Sequence, residues 1–380
     1  MKKYVKILIL AAFIFGACAI TTAWTNNSAP VMVNASSGEP IPDTYQYTIL
    51  PDSPSGFVAT NKSGNFTHSN PTMQPVINAI RTHADLNDVI ITFGNGEDWL
   101  DNGAVPVTFY GINSEINWGN INIRGKLTVS NPVVGWAVIV RHGHTVISEA
   151  DIRITDNADT ARVAIQASEA STITVSGGSI TASQEGRAIA ISDADSTVNI
   201  NGGVVSAEQN FAVTTSGGVL NINGGTISSG GTIAISSSTA GEVVLNGTPT
   251  IVGSIRIGGG RLSTLSTFSP QTNKFTIEVS GGALAEDDIV VTGGANFRTS
   301  FQLIPTQAAD WHIVACSAGI NLVLSETPPD DDDDDDDNGK GNNNDDDGDF
   351  PWMWVGIGAG GGVALIGLAV ALTLLIKRRK

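Results

Sequence analysis

Four groups of residues have the types and spacing that could do chemistry. Glycoside hydrolysis needs two carboxylates facing one groove. Asp156 with Asp159, and Asp193 with Asp195, are the pairs available in the repetitive part of the chain. His142 and His144 stand two apart. On a strand they would point the same way and offer two ligands to zinc, but no third accompanies them. Asp334, Asp336, Asn338, Gly339 and Asp345 fall on a calcium-loop spacing, without the terminal Glu or flanking helices that such a loop needs. Trp99, Trp118 and Trp136 are aromatic surfaces on which a sugar could stack. Each group also has a plainer use. Asp is a turn former, a run of Asp produces the calcium spacing by repetition, and a His pair can be a polar strand face. The expectation is no catalytic pair, no metal and no cofactor, with the three tryptophans as glycan-contact candidates.

The elements that would position these residues repeat. Thr172-Ile173-Thr174-Val175-Ser176-Gly177-Gly178 returns as Thr197-Val198-Asn199-Ile200-Asn201-Gly202-Gly203 and as Val219-Leu220-Asn221-Ile222-Asn223-Gly224-Gly225. The Gly-Gly pairs begin at 177, 202 and 224, steps of 25 and 22 residues. A worn copy follows at 243–252. Apolar and polar residues alternate with period two, so each segment is a strand with one buried face. The glycines supply the positive φ of a sharp corner. Three short strands and three corners make one coil, and a unit that cannot bury its apolar face alone must stack. The predicted fold is all-β, a parallel β-helix solenoid over 71–265. Residues 266–326 read as a small C-terminal β module or cap. Met73, Val76, Ile77, Ile80 and Ala84 recur at helical spacing within 72–86, an amphipathic helix suited to covering the first coil, with Thr72 as its N-cap. Residues 24–70 read as a loose Ser/Thr/Asn-rich leader with a strand at 45–50.

The ends set the expected location. Residues 1–23 have a cationic start, a short apolar core and small residues near the end, the pattern of a secretory signal peptide. Trp352 to Ile376 is an uncharged apolar run of 25 residues, long enough to span a bilayer, followed by basic Lys377-Arg378-Arg379-Lys380. The expected protein is single-pass in the cell membrane, with its N-terminal ectodomain outside. Residues 327–351 form an acidic stalk that holds 12 of the 37 acidic residues of a chain with net charge -17; its like charges keep it extended. The same balance leaves no basic patch for nucleic acid. Cys18 falls in the signal, which leaves Cys316 alone and excludes an internal disulfide framework. Asn26, Asn34, Asn61, Asn65 and Asn246 fit the glycan-acceptor pattern.

The Gly-Gly coils, the helix at 72–86, the acidic stalk and the C-terminal span together resemble right-handed parallel β-helix surface proteins, the pectin-lyase-like, adhesin-like proteins of microbial envelopes. The resemblance implies a surface role toward polysaccharide or another cell surface. It also admits polysaccharide lyases and glycoside hydrolases, because one fold hosts many activities. The polygalacturonase-like motifs of that family, Asn-Thr-Asp, paired Asp, Gly-His-Gly and Arg-Ile-Lys, do not occur here in order. Arg141-His142-Gly143-His144-Thr145 is only a partial echo.

Overall fold

The computed structural model describes residues 40–326 apart from 53–55, 96–99, 104, 110–118, 131, 133–134, 156–161, 239, 271–273, 281–283 and 317–320. The expected signal peptide (1–23) and stalk (327–351), the apolar run 352–376 and the basic tail all lie outside the described residues. Among the described residues no helix is long and apolar enough to cross a membrane.

The period-two pattern folds as its chemistry requires. In the strands 172–175, 197–200 and 219–222, Ile173, Val198 and Leu220 are fully buried, and the residues between them face outward. These strands pair in parallel with their equivalents one coil away. The result is a β-solenoid of about seven turns with three faces. The first face continues to strands 242–245 and 261–264. Its inward column Val146–Ile173–Val198–Leu220–Val243–Leu262 is at most 2% exposed. Burying one such side chain contributes about 1.5–3 kcal/mol, so each coil is held by the one beneath it.

The second face carries Leu127, Ile152, Ile180, Val205, Ile227 and Ile251 in one inward column. The third face runs from strand 107–109 through 187–191. It does not stop at residue 265. Strands 275–279 and 301–303 stack on it in parallel, with Ile277 over Ile255 and Leu303 over Ile277. The sequence loses its period there because long connections replace the short corners. At this end of the chain the antiparallel pairing among the described residues is confined to a three-stranded sheet of 289–291, 322–325 and 312–315. Phe268 packs beside Phe275, Phe297 and Phe301, with ring centroids 5.0–6.1 Å apart, and closes this end of the core.

The corner glycines stand one above another. Gly178, Gly203 and Gly225 have φ of 64°, 73° and 74°. A Cβ on Gly203 would lie 2.7 Å from the Gly178 carbonyl oxygen, and one on Gly225 would lie 2.8 Å from that of Gly202. Both the left-handed backbone and the close approach demand glycine. Their partners differ: a Cβ on Gly177 meets nothing within 4 Å, and those on Gly202 and Gly224 approach only the carbonyls of Ser176 and Asn201.

At the other end the chain is more ordered than its composition suggests. Strands 46–51, 57–61 and 67–70 form an antiparallel meander, and 46–49 pairs in parallel with 90–93 of the first coil. The leader therefore begins the sheet by residue 46, and Thr48 and Thr60 are half-buried on strands whose Tyr47, Ile49 and Ala59 face the core. The helix spans Met73–Ala84 and buries Met73, Val76, Ile77, Ile80 and Ala84. Thr72 is its N-cap residue but makes no side-chain capping bond; its N–H and hydroxyl turn instead to Asn70 Oδ1. The helix ends where Asp85 and Leu86 enter left-handed backbone. The Tyr47 hydroxyl meets His83 Nδ1 at 2.6 Å and joins the meander to the helix.

Candidate functional site

Asp193 is fully engaged in a turn. On the coil beneath, Glu169 and Ala170 both have left-handed backbone, with φ of 57° and 62°. Their successive backbone N–H groups, in this turn, both reach one carboxylate. It belongs to Asp193, which accepts from Glu169 N at 2.6 Å and Ala170 N at 3.4 Å. It also accepts from Asp195 N at 3.1 Å and from the Ser196 hydroxyl at 2.8 Å. Asp195 is exposed in the same turn. The carboxylate thus staples two coils. Asp156, Asp159, Glu97 and Asp98 lie outside the described residues, whereas Asp101 is exposed and caps its own turn through Gly103 N at 2.9 Å.

The histidines do not share a strand face. They occupy a turn in which His142 has φ 59°. His142 Nδ1 meets Glu169 Oε2 at 2.6 Å. His144 points inward, 1% exposed, with both ring nitrogens lacking a hydrogen-bond partner. Burial first, then the nearby His142 and Arg81, hold its pKa down at about 4. Among the described residues no three metal-ligating side chains cluster.

Trp136 opens a third-face strand and is half-buried. The Arg141 guanidinium lies over its ring, 5.3 Å from the centroid, so a cation already occupies one stacking surface. Trp99 and Trp118 lie outside the described residues.

The outward side of the first face carries a polar patch three coils tall, bounded by Ile147, Val219 and Val244. Thr145, Thr172 and Thr197 form one column; Thr174, Asn199 and Asn221 form the next. Coil-to-coil spacing of about 4.8 Å lets equal side chains bond one another. Asn221 Nδ2 donates to Asn199 Oδ1 at 2.8 Å. At the following corner Asn223 donates to Asn201 at 2.7 Å, and Asn246 donates to Asn223 at 2.9 Å. Two of the glycan-acceptor asparagines are thus already committed: Asn246 to this ladder, and Asn61 to the turn that bonds Thr44 O and Phe66 N.

Two cavities lie near the C-terminal turns. One, of about 620 Å3, has Thr276 and Glu278 on one side and the corner residues Val252–Ser254 and the segment Ile304–Thr306 on others. The second, of about 310 Å3, lies beside Arg298, Gln302, Trp311 and His312. Lys274 lines both. No motif marks them, because their walls come from segments far apart in sequence. The available signal was charge: Lys274 is the only cation between Arg261 and Arg298. No family model, curated protein or solved structure matches the chain.

Proposed function

We propose that this chain is a surface-anchored adhesive rod. Its stacked coils stand outside the cell, the apolar run 352–376 holds it in the membrane, and its outer surface contacts polysaccharide or another cell surface. One observation carries the reading: over three successive coils the first face presents two adjacent columns of Thr and Asn, whose hydroxyls and amides recur once per coil. A repeating polymer meets such an array with many weak bonds at once, and avidity makes weak bonds useful. The turn role of Asp193 favours binding over hydrolysis.

Two measurements test it. Protease applied to intact cells carrying the full-length chain should remove the ectodomain and spare a membrane-bound C-terminal fragment. Full-length protein in mild detergent, screened on a glycan array, should retain polysaccharides at low affinity. A chain shielded from external protease, or silence across plant, host and microbial glycans, would refute the proposal.

A further inference from the structure

We propose that the two cavities sharing Lys274 form one binding site for an anionic oligosaccharide, whose charged group is a carboxylate or a sulfate. The inference rests on the glycan-binding reading and gives it a place and a charge preference. Its first support is the state of the cations. Lys274, the only cation between Arg261 and Arg298 in the sequence, lines both cavities. Arg256 is already engaged: its Nε meets Glu278 Oε1 at 2.9 Å and its guanidinium lies 5.7 Å from the Phe211 centroid. Lys274 is exposed and Arg298 half-buried, and neither forms an ion pair with a carboxylate among the described residues. Two cations lining the same cavity repel, and an anion between them relieves that repulsion.

The second support is the lining. The Thr276 hydroxyl accepts from Gln302 Nε2 at 3.0 Å. Its own hydrogen remains to donate to a ligand oxygen, and the Gln302 carbonyl oxygen remains to accept one. Val252, 53% exposed, and Pro305 give one cavity apolar walls, and Trp311 gives the other an aromatic one. Alternating polar and apolar surface suits a pyranose ring, which has hydroxyls at its edge and C–H groups on its faces. A volume of some 620 Å3 is in the range of small-ligand sites.

The test uses the full-length chain in mild detergent. The probes are uronate oligomers of three to six units, a sulfated oligomer of equal length, and the carboxyl-reduced neutral oligomer. We expect the uronate or the sulfated probe to bind, the neutral one about tenfold more weakly, and rising salt to weaken the charged probe. Lys274→Ala and Arg298→Ala should each weaken it about tenfold, while Lys274→Arg should restore most of the loss. Unchanged thermal melting of these variants checks that they fold. If the variants bind like the original chain, or the neutral oligomer binds as well as the charged ones, the site is refuted while the adhesive reading stands. If no glycan binds at all, both fall.

Discussion

The Gln74 side chain takes the place of a missing strand: its amide oxygen accepts the Thr108 N–H at 2.8 Å and its amide nitrogen donates to the Thr108 carbonyl at 3.0 Å. Strand 107–109 is the first on its face and pairs among the described residues only with 136–140. Its other edge would offer bare backbone to any passing strand. Gln74→Leu should lower stability by about 1–3 kcal/mol, since it leaves a donor and an acceptor unpaired. Gln74→Glu keeps the acceptor, loses the donor, and should fall between. Urea denaturation gives the order; equal midpoints for all three proteins would show that the clasp contributes nothing.

Glycines at equivalent corners of successive coils predict different outcomes. Gly203→Ala places a Cβ 2.7 Å from a backbone oxygen in left-handed backbone and should cost about 2 kcal/mol or more. Gly177→Ala meets open space. It should change stability by less than about 0.5 kcal/mol. Thermal melts of the two variants distinguish stacked corners from ordinary flexible turns.

Asp193 bonds four donors from two coils. Asp193→Ala should therefore destabilise by about 1–3 kcal/mol, chiefly by leaving the Glu169 and Ala170 N–H groups unanswered. Reducing-sugar release from a polysaccharide panel, measured on the original chain, would reveal any hydrolysis. Loss of such activity in Asp193→Ala with unchanged stability would reverse the assignment.

His144 sets a pH limit. Its folded pKa, about 4, lies below the ordinary 6.5, so the unfolded chain binds the proton more readily. The contribution is whole above pH 6.5, declines as pH falls toward 4, and levels off below that, up to about 3 kcal/mol in total. His144→Leu should flatten this part of the stability–pH curve. A slope between pH 6.5 and 4 that the substitution leaves unaltered would assign the effect elsewhere.

The coil was legible because alternation and Gly-Gly corners are local properties: Ile173, Val175 and Gly178 declare their roles within seven residues. The helix was legible from its apolar spacing for the same reason. The reach of the third face to residue 303 was hidden, because Ile255, Ile277 and Leu303 stack across long connections without a repeated motif. The first strand of the N-terminal meander was legible at 45–50, and its partners 57–61 and 67–70 were hidden by their polar residues. The alternation of His142 and His144 fits a strand, because neither residue type announces the left-handed turn between Arg141 and His144. The cavity beside Lys274 has no local pattern; only the fold brings its walls together.

The matching registers of Ile173, Val198 and Leu220 have an evolutionary corollary. Duplicating or excising a segment one turn long would rejoin the chain in phase, with every remaining layer still seated on a neighbour of the same shape. Such a molecule can lengthen or shorten by whole layers while its two ends go unaltered, so its length can vary among descendants without a new fold being invented.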